Sequence, residues 1–278
     1  MSKKIDIVVA YPSGNITIMV LTPIDRSDYK EVARKLLEMK ELNGEQVAYI
    51  LPPKTTETTN PTAGEQYPEM EMCGLEFCGN ASRAFAYYMA LNAPEKKEKI
   101  AVKVSGCDHP LTAKIDYQTG NIEMEMPIPV SYKLFSAKEL SLQKDGILVN
   151  IDGISHLILQ DIPPMYETFE NLKDFIYENY DCNLPAFGVM FCDTVNDLMT
   201  PAVYVKDVDT TYFEGSCASG TVAASFALTK CMSDGIHDFK FEQPEGTLYS
   251  TIIKKQGRTE QILLKGLITL SEKITVEI

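Results

Sequence analysis

The chain has 278 residues, of which 45% are hydrophobic and 23% are charged, and this composition excludes a disordered or low-complexity protein. The formal net charge is −13 and the only basic cluster is the short run at 96–99, which argues against nucleic acid as a partner, because phosphate binding needs basic patches. The first residues carry too short an apolar run for a signal peptide, and no run is long enough to cross a membrane, so we expect a cytoplasmic protein without membrane contact.

Regular hydrophobic patterns predict strands and helices throughout the first half of the chain. A stretch rich in threonine and proline, Pro52–Pro68, predicts a loop that is either a lid over a site or a variable surface loop. The other predicted elements are strands over Ile5–Ala10 and Ile16–Leu21 around a turn, a helix over Asp28–Met39 capped by Ser27 or Asp28, a strand over Gln46–Leu51, a helix over Ser82–Asn92, a strand over Ile100–Ser105, and a hairpin over Leu111–Ile115 and Asn121–Met126.

The second half follows a similar order of elements. Helical spacing occurs over Glu167–Glu178 and Val222–Met232. Strands are predicted over Phe187–Phe191 and Pro201–Val205, with hairpin pairs through Ile252, Ile262 and Leu264 and over Thr269–Ile278.

The cysteines fall into two groups. Seven are present at irregular spacing, with no C-x2-C pair and only three histidines, so neither a disulfide framework nor a zinc site is expected. Five are interpreted as structural, small buried residues in a reducing compartment, namely Cys73, Cys107, Cys182, Cys192 and Cys231. The other two, Cys78 and Cys217, belong to a repeated motif.

This motif reads CGNASRA at 78–84 and returns, 139 residues later, as CASGTVA at 217–223. Weaker matches keep nearly the same shift: Thr17–Leu21 falls on His156–Gln160, and Val102–Val104 falls on Phe239–Phe241. We therefore predict an α+β fold of two pseudo-symmetric domains, each a mostly antiparallel, barrel-like sheet around a central helix. The first domain spans 1–128, with the C-terminal strand as a further candidate for its sheet, and the second spans 129–278, with the active site in the cleft between them.

Each copy of the motif places a thiol at the start of a predicted helix. The positive end of a helix favours a thiolate, and its free N–H groups bind an anion such as a carboxylate. Two thiols on opposite sides of an amino acid α-carbon would remove a proton from one face and return one to the other. A metal ion or pyridoxal phosphate would be another electron sink, but the sequence has no phosphate-binding glycine loop and no obvious Schiff-base lysine, so we expect no cofactor and no metal.

Two simpler interpretations compete with this one. A single Cys-Gly-Asn before a helix is most often a structural turn, and a lone reactive cysteine is most often a nucleophile paired with a base. Neither accounts for a second thiol at the equivalent position.

The motifs FCGNA at 77–81 and SCASGT at 216–221 resemble those of the cofactor-independent amino acid racemases and epimerases of the diaminopimelate epimerase type, related to proline racemase. The resemblance runs over nearly the whole chain. It implies a diaminopimelate epimerase-like fold, closure over the substrate, a homodimer, and one cysteine as thiolate base with the other as thiol acid. Asn15 matches the asparagine of the family's first hairpin, Gln46 its glutamine after the first helix, and His156 its histidine near the second cysteine.

The sequence differs from diaminopimelate epimerases at positions where those enzymes bind their substrate, and these differences argue against diaminopimelate as the substrate. Ile154 stands where they have an asparagine, and the loop 209–215 lacks the arginine that would hold a second carboxylate. The runs at 11–15, 45–47, 76–81 and 102–107 resemble most the histidine racemases that supply D-histidine for nicotianamine-like metallophores. An imidazole needs a hydrogen-bond acceptor, which Glu45 or Glu214 supplies in this interpretation.

The resulting expectation is a two-base racemisation of a free amino acid, with histidine favoured. The alternatives are a diaminopimelate epimerase, another racemase of this fold, or a non-enzymatic amino acid-binding protein. The predicted catalytic residues are Cys78 and Cys217, and the predicted substrate contacts are Asn15, Glu45, Gln46, Gly79, Asn80, His156, Glu214, Ser219, Gly220 and Thr221.

Overall fold

The computed structural model describes residues 3–52, 66–151, 153–206 and 209–278, so most of the predicted loop Pro52–Pro68 lies outside the described residues. These residues form four α-helices: α1 (Tyr29–Leu37), α2 (Gly79–Leu91), α3 (Tyr166–Asn179) and α4 (Ala218–Thr229). They also form eighteen strands: β1 (Lys4–Tyr11), β2 (Thr17–Val20), β3 (Gln46–Ile50), β4 (Glu69–Met72), β5 (Lys99–Val104), β6 (Leu111–Asp116), β7 (Asn121–Glu125), β8 (Ser131–Phe135), β9 (Gly146–Ile151), β10 (Ile154–Gln160), β11 (Ala186–Asp193), β12 (Leu198–Val205), β13 (Thr210–Phe213), β14 (Gly235–Gln243), β15 (Gly246–Lys255), β16 (Arg258–Leu267), β17 (Thr269–Leu270) and β18 (Ile274–Glu277).

The chain divides into two compact units. The first comprises Met1–Met124 and Leu267–Ile278, and the second comprises Glu125–Gly266. In the first unit the strands follow the order β18, β1, β2, β3, β4, β5, β6, β7, with β17 also paired to β1. In the second, β8 to β12 follow in sequence, β12 also pairs with β13 and β14, and β15 and β16 continue from β14. Most pairs are antiparallel, which confirms the predicted α+β class.

In each unit one helix is amphipathic and covers one face of the sheet. Val32 and Leu36 of α1 pack against Ile5 and Ile7 of β1, and Val47 of β3 joins the same cluster. In the second unit Phe169, Leu172 and Ile176 of α3 pack in the same way against β11. The polar side chains of α1 and α3 face outward, as expected for helices that bury one stripe.

The other helix of each unit, α2 or α4, is buried on nearly all sides. The first eight residues of α2 and most of α4 are buried, and small side chains predominate in both. Small side chains let the surrounding strands approach the helix closely, so α2 and α4 are the central helices of their units.

Both central helices begin earlier than the sequence pattern predicts. The predicted starts were Ser82 and Val222, whereas α2 begins at Gly79 and α4 at Ala218, directly after the cysteines. Glycine, serine and asparagine are weak helix formers, so the pattern gave no signal over these first turns, which burial and capping stabilise. At α1 the N-cap is Asp28, but its side chain makes no capping hydrogen bond.

All seven cysteines lie within the described residues and carry free thiols. Cys182 and Cys231 are exposed, so the expectation that they are buried is wrong. Among the described residues, no helix combines the length and the apolar character that a membrane span requires.

Candidate functional site

Cys78 is the N-cap residue of α2. Its backbone is extended (φ −128°, ψ 110°), and its Sγ accepts a hydrogen bond from the Ala81 N–H at 3.5 Å. Its carbonyl oxygen accepts from the Ser82 N–H at 2.9 Å and from the Ser82 hydroxyl at 2.7 Å. The thiol is half-buried. This residue therefore presents sulfur at the positive end of a helix, where a thiolate is stabilised.

Cys217 caps α4 in the same geometry. Its φ is −128° and its ψ is 112°, and its Sγ accepts from the Gly220 N–H at 3.4 Å. Its carbonyl oxygen accepts from the Thr221 N–H at 3.0 Å and from the Thr221 hydroxyl at 2.7 Å. The motif repeat seen in the sequence is thus a repeat of backbone conformation and of hydrogen bonds.

The two thiols differ in their surroundings. Cys217 is buried, with 6% of its surface exposed. Burial raises the pKa of the Cys217 thiol well above its ordinary value, and the nearby Glu214 carboxylate raises it further, while hydrogen bonds from Ser219 and Gly220 oppose these effects. Cys217 therefore holds its proton at neutral pH.

His156, on β10, reaches Cys217 through a serine. Its Nε2 lies 2.9 Å from Ser219 Oγ, which lies 3.6 Å from Cys217 Sγ. The imidazole is fully buried, and its Nδ1 has no hydrogen-bond partner among the described residues. Burial lowers the pKa of His156 to about 3, so the ring is neutral at physiological pH and orients the serine without contributing a charge.

Arg83 is a buried, positively charged residue of α2. Its side chain is fully buried, and its Nη2 donates to Asn80 Oδ1 at 2.8 Å. Its Nε and Nη1 have no partner among the described residues. Burial lowers the pKa of Arg83 to about 10, and the neighbouring Cys78 opposes this shift, so the guanidinium keeps its charge at neutral pH. By the same attraction, Arg83 favours the thiolate form of Cys78.

Three of the predicted substrate contacts, Asn15, Glu45 and Gln46, lie together at the turn between β1 and β2. The Gln46 side-chain amide donates to Asn15 Oδ1 and, at 2.7 Å, to Thr17 Oγ1. Glu45 Oε1 accepts from the Ile16 N–H at 2.9 Å. Asn15 has a φ of 60°, and the two residues before it also lie in the left-handed region. Few residues adopt that region without support, so the side chains of Glu45 and Gln46 stabilise this turn.

The structure thus places the predicted residues in three groups. Asn15, Glu45 and Gln46 lie together at the hairpin, and Gly79 and Asn80 form the first turn of α2 beside Cys78. The third group surrounds Cys217 and comprises His156, Glu214, Ser219, Gly220 and Thr221.

Sequence reasoning missed two residues of these groups. Arg83 was marked only by being a charged residue within a helix of small and apolar side chains. Gln243 Oε1 accepts a hydrogen bond from the Cys217 N–H at 2.8 Å. Gln243 lies 26 residues after Cys217, and no local sequence pattern marks it as a site residue.

Comparison with known proteins gives matches along most of the chain. The family model described as "Histidine racemase CntK N-terminal domain" matches residues 4–275. A histidine racemase of Fusobacterium nucleatum is 34% identical over 263 residues, which cover 89% of this chain and 90% of that protein. A histidine racemase of Staphylococcus aureus is 25% identical over 264 residues, 93% of this chain and 92% of that protein.

Solved structures share the fold at low sequence identity. A phenazine biosynthesis protein of the PhzF family from Bacillus anthracis superposes with a TM-score of 0.67 at 15% identity, over 99% of this chain and all of that one. A hydroxyproline epimerase from Agrobacterium vitis gives 0.59 at 8% identity, over 99% of this chain and 93% of that one. These two likenesses concern the fold alone.

Proposed function

Because the chain belongs to the family described as the histidine racemase CntK N-terminal domain, and is therefore an isomerase of the racemase type, we propose that it racemises free histidine with Cys78 and Cys217 as its two bases. The predicted resemblance to histidine racemases is confirmed by this membership. The observation that carries the mechanism is the common geometry of the two N-cap cysteines, which differ by only 2° in ψ. A structural turn or a single nucleophile would require one such cysteine.

The proposed reaction moves two protons. The thiolate of one cysteine takes the α-proton, so an S–H bond forms as the Cα–H bond breaks and the electron pair delocalises into the substrate carboxylate. The thiol of the other cysteine then gives its proton to the opposite face of Cα and becomes a thiolate. N–H groups in the first turns of α2 and α4 stabilise the negative charge on the carboxylate. The two cysteines are then protonated for the opposite direction, and another turnover in the same direction first requires proton exchange between the thiols and solvent.

The environments of the thiols favour one resting arrangement. Cys217 is buried beside Glu214 and keeps its proton, whereas Cys78 lies beside the Arg83 guanidinium. In this proposal Cys78 is the thiolate and Cys217 the acid when the enzyme first meets its substrate.

In this proposal Glu45 binds the imidazole of the substrate. Glu214 already acts on the Cys217 thiol, while Glu45 lies in the hairpin with Asn15 and Gln46. A carboxylate is a suitable acceptor for an imidazole N–H, and such charge-assisted hydrogen bonds are the stronger ones.

Exchange of the substrate α-hydrogen with solvent deuterium tests the proposed activity. We expect histidine in D2O, without added cofactor, to gain one deuterium at Cα as it racemises.

Cys78→Ser and Cys217→Ser should each lower racemisation by about 1000-fold or more, because a serine hydroxyl is far less able than a thiol to give or take a proton near neutral pH. Cys192→Ser is the matched control, since Cys192 is a buried cysteine on β11 outside either motif. Full activity in either motif variant would contradict the two-base mechanism, and histidine binding without exchange would favour an amino acid-binding protein.

Substrate choice is tested separately. Glu45→Gln is expected to lower kcat/KM for histidine by about tenfold or more relative to other amino acids, because it removes the negative charge from the acceptor of the imidazole N–H. Glu214→Gln is measured beside it on a panel of amino acids that includes diaminopimelate. If both variants keep the wild-type preference for histidine, neither carboxylate recognises the imidazole.

A homodimer and a cytoplasmic location stay predictions. Sedimentation of the purified protein checks the homodimer.

A further inference from the structure

Gln243 ends strand β14 with its side chain directed at the cysteine of the second unit. It is 8% exposed, and its Oε1 accepts the Cys217 backbone N–H at 2.8 Å. Its Nε2 donates to Thr221 Oγ1 at 2.9 Å. Because a backbone N–H can only donate, the oxygen of this amide must face Cys217, and the orientation of the side chain is determined.

Thr221 closes a ring of hydrogen bonds around the cysteine. Its hydroxyl has one proton, which it donates to the Cys217 carbonyl oxygen at 2.7 Å, and its oxygen accepts from Gln243. The peptide groups on both sides of the Cys217 α-carbon are therefore tied to one buried amide. Because these peptide groups define φ and ψ of Cys217, the ring sets the direction of its Cα–Cβ bond.

The first unit holds its cysteine in another way. With the register that aligns Val102–Val104 with Phe239–Phe241, Gln243 corresponds to Gly106. Gly106 has a φ of +70°, and a Cβ there would lie 2.8 Å from Phe77 Cβ and against the Phe77 nitrogen. Bare backbone thus packs against the segment before Cys78 at the position where the second unit has an amide side chain.

We propose that Gln243 is a positioning residue for the Cys217 thiol in racemisation, acting through the ring it forms with Thr221. The inference rests on the proposed function, because it concerns the alignment of Cys217 with the substrate α-carbon. Gln243 bonds to the backbone of Cys217, and in this proposal it makes no contact with the substrate.

The test compares variants that remove parts of the ring. Gln243→Met removes the donor and the acceptor at similar volume, and Gln261→Met is the control, because Gln261 is a strand glutamine with one long hydrogen bond of 3.4 Å to Glu125. Thr221→Val removes the hydroxyl, and Thr221→Ser keeps it. We expect Gln243→Met to lower kcat by about 10- to 100-fold with KM changed less than about twofold, since small displacements of a reacting group have effects of this size. Thr221→Ser should lose less than Thr221→Val.

Two further measurements separate positioning from stability. If the ring acts as a unit, the double variant Gln243→Met/Thr221→Val loses no more kcat than the larger single loss. Alkylation of Cys217 by iodoacetamide, followed by mass spectrometry, should become faster in Gln243→Met while that of the exposed Cys182 is unchanged. Alkylation needs no substrate, so it still tests the ring if the wild-type protein fails to racemise histidine, a result that would overturn only the proposed function.

Three results would overturn the inference. The first is a kcat of Gln243→Met, per folded molecule, equal to that of the wild type. The second is a lower thermal midpoint without any change in kcat or Cys217 alkylation, which would mark Gln243 as merely structural. The third applies if Gln243→Met does not fold: equal kcat values for Thr221→Val and Thr221→Ser would then show that the hydroxyl of the ring does not position the thiol.

Discussion

At the scale of residues, the two N-cap cysteines share a backbone conformation but not a charge environment. Cys217 is buried beside a carboxylate, and Cys78 is half-buried beside a guanidinium. A helix end by itself lowers the pKa of a thiol, and neighbouring charges add to or oppose that effect. In the proposed mechanism Glu214 and Arg83 distinguish the acid from the base, and at the shift of 139 residues their counterparts are the uncharged Leu75 and Val222.

Acid is expected to destabilise the folded protein through His156. Burial holds the pKa of His156 at about 3 in the folded state against an ordinary value of 6.5, so below pH 6.5 the unfolded chain takes a proton that the folded chain does not. The free energy of unfolding therefore falls as the pH drops below about 6.5 and levels off near pH 3. Between pH 7 and pH 5 this loss is about 2 kcal/mol.

Urea unfolding of His156→Gln checks this prediction. The variant should lose about 2 kcal/mol less than the wild type between pH 7 and pH 5, because it has no imidazole to protonate. His237→Gln is the control, since His237 lies on β14 and its Nε2 lies 2.9 Å from the Ser233 carbonyl oxygen, away from either cysteine motif in sequence. An equal loss in His156→Gln and the wild type would mean that other groups cause the acid sensitivity.

At the scale of elements, the sequence predicts the helices and the first hairpin well and several strands poorly. Helices α1 and α3 have clear apolar spacing, α2 and α4 are runs of mostly small and apolar residues, and the hairpin has a clear turn, so local patterns suffice for them. Strands β4, β8, β9 and β13 were not predicted, because with four to six residues each they give only a weak periodic signal. The motif marked both cysteines and their neighbours in sequence, whereas Gln243 was missed because it lies on β14, 26 residues after Cys217.

The first turn of α4 is expected to tolerate no side chain at Gly220. A Cβ there would lie 3.2 Å from Cys217 Sγ and would overlap Met190 Sδ, and Met190 is fully buried. The corresponding residue in α2 is Ala81, whose N–H bonds to Cys78 Sγ, so the motif itself accepts alanine. The restriction at Gly220 therefore comes from β11, which carries Met190.

Gly220→Ala should reduce the free energy of unfolding by about 1–3 kcal/mol, as overpacking of cores does, and should lower kcat by displacing the thiol. Thermal unfolding and racemisation are measured for this variant and for Gly220→Ala/Met190→Val, which removes the overlapping sulfur. We expect the double variant to recover part of both losses. No recovery would show that the alanine acts through the helix backbone and not through Met190.

At the scale of the whole molecule, the C-terminal segment belongs to the first unit of the chain. Strand β18 pairs with β1 from Lys4 opposite Glu277 to Ile7 opposite Ile274, and β17 pairs with the end of β1. Thr275 Oγ1 also donates to Asp6 Oδ1 at 2.6 Å. These contacts join residues about as far apart in sequence as the chain allows. The first unit can therefore be completed only after the second has been synthesised.

Removal of residues 267–278 is expected to expose β1 as an edge strand and to loosen it. The truncation deletes several ladder hydrogen bonds, each contributing about 1 kcal/mol, so amide exchange in peptides covering Lys4–Tyr11 should accelerate by about 100-fold or more. Hydrogen exchange with mass spectrometry measures this, with peptides from β10 and β11 of the second unit as the internal reference. Thr275→Val in the full-length chain is the control, because it removes one side-chain hydrogen bond and leaves the ladder. Unchanged exchange in β1 would mean that β2 alone stabilises it, whereas acceleration confined to the first unit would show that the two ends of the chain complete one core.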